Sequence, residues 1–383
     1  MPIVIEFDLF DDRTKGTRGS PKRKYDDEKK TLDTDVKDEG KMEGKTPTPT
    51  PAPYPVTPVT LQSFQCIEVQ PIVPISFNPF VTIVPTLELL NVEKPSFSAS
   101  FLAAVNAHPL DCTVTCTKHV YSVQWDEENR DFTKDAISVT TLRDKYFKPF
   151  VQNDVVARMS KHPDGTHTGK YEGMTSAQVL ECWHKACKLG KRVHLIIECF
   201  LNGMDIQPYM KYKVITQFAH WYRSYIIPNK LKPFRTEMKI RSSAMFKITG
   251  AIDSLWIKEN HPLPEECNGV LELEMIDWKV KEILDDFVWD NERGFGPCVV
   301  VPASKVNQDS LQQLIYKKML ETFYFNFPYN GHVYKRVHVV KLSLLQLHDR
   351  LSCARLIPIE LTYQPVVEKL FDERCEFLRC KED

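Results

Sequence analysis

The spacing of apolar positions divides the chain into four spans: 1–60, 61–112, 113–365 and 366–383. From residue 113 the pattern is that of an α/β domain. TVTCTKHVYSVQW, from Thr113, alternates apolar and polar residues and predicts a strand. SVTTLRDKYFKPF predicts a helix opening at Ser138. The run from Met174 predicts one or two more, with Thr175 as N-cap and Gly203 closing the run. KYKVITQFAHWYRSYI, from Lys211, predicts a further helix, and TEMKIRS, AMFKITG, AIDSLWI and VLELEMIDW read as successive strands. Beyond Gly294 and Gly296, the run from Asp309 to Phe325 predicts a helix. Asp309 and Gln312 suit its capping box, and Leu311, Leu314, Ile315 and Leu320 its buried stripe. YKRVHVVKLSLL and ARLIPIEL predict late strands, and 366–383 a C-terminal helix or tail. Helices, then adjacent strands, then a helix and strands make an α/β fold with an antiparallel component.

Upstream the pattern changes. Residues 11–45 are dominated by charge and almost free of apolar groups, too few to offset the entropy of ordering, which predicts disorder. TPTPTPAPYPVTP then reads as an extended linker. Within the tail, PKRK (Pro21–Lys24) fits either a nuclear import signal or a plain solvated charge run. Residues 61–112 form a proline-rich extended arm that lies on its own domain or on a protein partner. No membrane span is expected, because Pro71, Pro74, Pro79 and Pro85 interrupt the longest apolar region. Eleven cysteines without an apolar leader suggest an intracellular protein with reduced thiols. The formal charge of −1 requires any nucleic-acid contact to be made by a local basic patch.

Four groups of residues carry candidate chemistry. His194 and Glu198 stand four apart on a predicted helix, one turn from each other, and suit a divalent cation or an ordinary hydrogen-bonded pair. Asp253 lies in an otherwise apolar strand, where a carboxylate needs a partner or a metal unless it is at an exposed end. Asp277 and Lys279 alternate onto one strand face, so that the acid could hold a metal while the ammonium meets water or phosphate. If the strands carrying Asp253 and Asp277 are neighbours, their carboxylates repel unless a cation lies between them. Gln312 and Tyr316, also four apart, offer an amide and a phenol.

In this order, G-x-x-x-H-x-x-x-E, G-x-I-D, D-W-K and Q-x-x-x-Y, the series resembles the PD-(D/E)XK nuclease superfamily. Within it, the chain resembles the RecB-like branch with the lambda-type exonucleases, and most closely RecB-like nucleases encoded by large DNA viruses. The resemblance covers about residues 113 to 345. It implies a restriction-endonuclease-like core, a mixed central β-sheet flanked by helices. It implies Mg2+ or Mn2+ held by His194, Asp253 and Asp277 with the backbone carbonyl of Trp278. Lys279 would then activate water, Glu198 would support the metal, and Gln312 and Tyr316 would steady the site. Glu237 matches a recurrent acid of the viral set, either structural or behind the ligands. The implied activity is that of a deoxyribonuclease, an exonuclease in the first place, in viral recombination, repair or genome processing. Its setting would be the host nucleus or a cytoplasmic replication site. Val280 and Lys281 stand where small hydroxyl residues are frequent, and GKRVH replaces a Gly-Thr turn; neither change removes a ligand. Cys375 and Cys380 fall short of the spacing for an iron–sulfur cluster, and Cys112 and Cys116 read as strand neighbours rather than zinc ligands.

The expected partner is DNA, as double-stranded ends or single strands, contacted through Lys191, Arg192, Lys232 and Arg235. Interleaved Trp221, Tyr222, Tyr225 and Phe234 would stack bases or else be buried. The competing expectation is a catalytically silent DNA-binding or partner-docking protein that keeps the nuclease fold.

Overall fold

The computed structural model describes residues 101–382 apart from 118–119, 127–130 and 289–291. The expectations for the tail, the linker, the import signal and the arm up to residue 100 lie outside these residues.

A mixed sheet forms the centre. Its strands are β3 (Ile137–Ser138), β4 (Leu231–Arg241), β5 (Ile248–Lys258), β6 (Val270–Val280), β9 (Arg336–Leu347) and β10 (Arg355–Pro358); outside it lie the hairpin of β7 (Phe327–Tyr329) with β8 (His332–Tyr334) and the short helices α1 (Phe101–Val105) and α3 (Gln152–Arg158). The sheet runs β10-β9-β6-β5, with β4 along one edge of β5. β6 and β9 are parallel over their whole length, whereas β4–β5, β5–β6 and β9–β10 are antiparallel. β4 occupies one edge of β5 from Thr249 to Lys258, so β6 and β3 share the other: β6 pairs with Ser254–Trp256 and β3 with Ile248 and Thr249. The sheet therefore forks beside residues 250–253.

Each sheet face carries its own core. Helix α4 (Ser176–Leu201) and helix α5 (Lys213–Trp221) cover one face, burying Val193, Ile196, Ile197 and Phe218 against Trp256, Ile276 and Trp278. Helix α2 (Val139–Asp144), helix α6 (Lys305–Phe323) and helix α7 (Gln364–Glu382) cover the other, with Leu311, Leu314, Ile315 and Leu320 against Leu255, Ile257 and Met275. The strands are apolar on both faces because both faces are covered. α4 is a single helix of 26 residues, with Thr175 and Gln178 forming the capping box and Gly203 at φ +88° just beyond its end.

Several expectations change. TVTCTKHVYSVQW forms a hairpin, β1 (Val114–Thr117) with β2 (Val120–Val123), rather than one strand. AMFKITG and AIDSLWI supply a single strand: Ala244–Phe246 turn and β5 begins at Ile248. α6 begins at Lys305, not Asp309. Ser304 caps it by accepting from the Asn307 amide at 3.2 Å, and Asp309 lies inside the helix. Residues 101–112 lie on their own domain, one of the two placements open for the arm: the Leu102 amide donates to Asn202 Oδ1 (3.0 Å) and Asn106 Nδ2 to the Phe234 carbonyl (2.7 Å). The C-terminal segment, open between helix and tail, is the helix α7, which buries Val366, Val367, Leu370 and Phe371. No helix among the described residues is long and apolar enough to cross a membrane.

Candidate active site

The site lies at the fork. In β4–β5 the pairs Thr236↔Ser254 and Met238↔Ile252 flank Glu237 and Asp253, setting these two opposite each other. In β5–β6 the pairing stops at Ser254↔Ile276, and the next step of the same register sets Asp253 opposite Asp277. Three carboxylates thus stand in a row across neighbouring strands, where like charges destabilise. At the fork the Asp253 side chain takes over a backbone partner, its Oδ2 accepting from the Trp278 amide at 3.0 Å.

α4 delivers His194 to this row. Its Nδ1 lies 3.5 Å from Asp253 Oδ2 and 4.0 Å from Glu237 Oε1. His194, Glu237 and Asp253 each offer a ligand atom, all within 4.8 Å of one another. Desolvation, reinforced by Lys279, lowers the His194 pKa, which favours the neutral ring that ligates metals. Glu237 adopts φ +44°, a left-handed conformation that strains a residue with a Cβ and that gathers at functional sites. The expected ligand set included Asp277, but the structure groups Glu237 with His194 and Asp253. Asp277 turns to α6, its Oδ1 accepting from Gln313 Nε2 at 2.9 Å and its Oδ2 lying 2.7 Å from Lys279 Nζ. Glu198 is half-buried one turn beyond His194, outside the ligand set but within the field of Asp253.

Gln312 and Tyr316 back the site as a pair. Gln312 Nε2 donates to Tyr316 Oη at 3.3 Å, and Arg143 Nη1 donates to Gln312 Oε1 at 3.0 Å. Tyr316 is buried over Gly250, the glycine of the G-x-I-D run, where a Cβ would stand 2.6 Å from Cε1 and 2.9 Å from Oη. Gly250→Ala should therefore destabilise the protein by roughly 1–3 kcal/mol through overpacking, read by urea unfolding; an unchanged midpoint would mean that the ring yields freely.

Burial and the charge of Asp253 hold both Glu198 and Asp277 up to about 7, against ordinary values of 4.5 and 3.8. Glu237 is raised too, by desolvation and by Asp253 and Glu198. A carboxyl raised in the folded state leaves stability intact below its unfolded pKa and removes it as pH climbs through the folded value. The metal-free protein should thus lose thermal stability between about pH 5 and about pH 8, and Mn2+ should restore more of it at the upper end. Melting curves in chelator and in Mn2+ test this; a metal shift independent of pH would contradict it.

The basic set is dispersed. Lys191 is exposed, Arg192 is half-buried, and Lys232 lies over the Tyr329 ring at 5.4 Å. Arg235 leaves the DNA-facing set because it is buried: its Nη1 donates to Asp111 Oδ2 at 2.6 Å and to the Asn106 carbonyl at 2.9 Å. Trp221, Tyr225 and Phe234 are likewise buried, with Trp221 among Trp256, Trp278 and Tyr225, so they pack rather than stack bases. Sequence reasoning missed Gln313 and Arg143; the one available signal was the polar series Asp309, Gln312, Gln313 and Tyr316 at helical spacing.

No protein-family model matches the chain, and no curated protein matches it.

Proposed function

We propose that this α/β unit is a divalent-metal-dependent DNA nuclease of the PD-(D/E)XK type. The observation that carries the reading is the row Glu237–Asp253–Asp277 across three adjacent strands, with His194 beside Asp253 and Glu237 and Lys279 beside Asp277. The donor set fits Mg2+ or Mn2+: oxygen-rich, with one imidazole, and holding more negative charge than its neighbours neutralise. His194, Glu237 and Asp253 would hold the ion, which would supply Lewis-acid stabilisation of the phosphate and a lowered pKa for the attacking water.

The chain's own residues do the rest. Lys279 keeps its proton because Asp277 and Asp309 raise its pKa against desolvation, so it acts as a fixed positive charge toward water or a phosphate oxygen rather than as a base. Asp277, fastened by Gln313, holds that ammonium in place. Tyr316 and Gln312 limit movement behind β5.

Cleavage of end-labelled linear and closed circular DNA, with Mg2+, Mn2+ or chelator, tests the reading on wild type and Asp277→Ala. Metal-dependent degradation lost in the variant supports it, and preference for linear DNA makes it an exonuclease. Folded wild type that shifts DNA but cleaves none under either metal would replace it with the silent-scaffold reading.

A further inference from the structure

Asp309 is an aspartate inside a helix with only 1% of its side chain exposed, a costly place for a charge without partners. Four cations surround it, two of them within hydrogen-bond reach of Oδ1, while the buried Oδ2 accepts no hydrogen bond. Lys305 Nζ lies 2.7 Å away, Arg143 Nη1 3.2 Å, Lys279 Nζ 3.8 Å and Lys281 Nζ 3.9 Å. Two of the four have acids of their own: Arg143 meets Asp144 at 2.6 Å and Lys279 meets Asp277 at 2.7 Å. Lys281 and Lys305 share Asp309 and are the open side of the cluster, with side chains 38% and 42% exposed against 5% for Arg143 and 15% for Lys279. Positive charge is therefore in excess at the mouth. Consistently, desolvation and repulsion from neighbouring cations, outweighing Asp309, hold both ammonium groups below their usual range, Lys281 at about 8.

The backbone adds to the same spot. Lys305 opens α6, a helix of 19 residues, and the first-turn amides of a helix point outward with a partial positive charge. Convergent ammonium groups at a helix start suit a ligand with several anionic oxygens, which is the chemistry of a phosphate. Asp309 prearranges long side chains that would otherwise lose rotamer freedom on binding. Lys279 joins this cluster to the catalytic one. Two residues of extended chain separate it from Lys281, about 6.6 Å, the scale of one nucleotide along a sugar–phosphate backbone.

We propose that Lys281 and Lys305, mounted on Asp309, form a phosphate-binding cradle beside the carboxylate row that receives a strand phosphate next to the one attacked. That source of phosphate rests on the nuclease reading; the cradle itself does not. A terminal phosphate and an internal one would engage it alike.

The test compares wild type with the K281Q/K305Q double variant in chelator at constant ionic strength. Inorganic phosphate is titrated by calorimetry, and duplexes with a 5′-phosphate or a 5′-hydroxyl by fluorescence anisotropy. Wild type should bind phosphate saturably, and the double variant about tenfold more weakly or worse. A loss confined to the phosphorylated duplex identifies a terminal phosphate, and an equal loss on both duplexes an internal one. Absence of saturable phosphate binding by wild type, or equal binding by wild type and the variant, overturns the cradle. Circular dichroism checks folding, with K281Q alone as the second variant. D253N, which removes a metal-site carboxylate, should still bind phosphate. Wild type that cleaves nothing while K281Q/K305Q loses phosphate would end the nuclease reading and leave the cradle standing.

Discussion

Asp253→Asn should reduce the proposed metal-dependent DNA cleavage by on the order of a thousandfold, and Glu237→Gln should come close to matching it. Asp253 is the middle of the carboxylate row, touching His194 on one side and the Trp278 amide on the other. The amide keeps the shape and removes the charge. Lewis-acid stabilisation of a phosphoryl transition state amounts to several kcal/mol, and about 1.4 kcal/mol is a factor of ten in rate. Glu237 is the sharper half of the pair. A structural acid or one behind the ligands would lose about 10–100-fold in metal affinity or activity, whereas an acid grouped with His194 and Asp253 should lose nearly as much as Asp253 itself. Single-turnover rates in saturating Mn2+, with melting curves to establish folding, separate the two. Wild-type rates in Asp253→Asn would remove the metal site from the mechanism.

Asp309→Ala should destabilise the fold by about 3–5 kcal/mol, because it strips the central carboxylate from a buried charge cluster and leaves Arg143 and Lys279 facing like charges. As the helix N-cap that its spacing from Gln312 suggests, Asp309 would contribute only about 1 kcal/mol. Urea unfolding of Asp309→Ala beside Ser304→Ala tells the two roles apart: the true cap should lose about 1 kcal/mol and the buried acid several times that. Equal and small losses would contradict the enclosed geometry. Lys305→Ala, at a partly exposed position, should lose no more than about 1 kcal/mol.

The long periodic elements were legible in the sequence because local patterns set them. α4 with its Thr175 cap, the stripe of α6, β6 and β9 all follow from spacing within one segment. His194 beside Glu198 and Asp277 beside Lys279 were readable for the same reason, since helix and strand periods place them without reference to any partner. Boundaries dependent on a turn were not: the β1–β2 hairpin read as one strand, and β5 as two. Arg235 and Trp221 looked like a DNA path because charge and aromatic content say nothing about which way a side chain faces. Burial against Asp111 and Trp278 decided that. Only the tertiary structure could set Glu237 opposite Asp253, end the β5–β6 pairing one step before Asp277, and bring Arg143, Lys279, Lys281 and Lys305 around Asp309. The sequence alone determined which elements form and which chemical groups they carry, since both are properties of a single segment. Strand register and helix docking determined which carboxylates stand side by side and which cations share a carboxylate. Those are contacts between groups far apart in the chain, fixed by the packing of two apolar cores on opposite faces of one forked sheet.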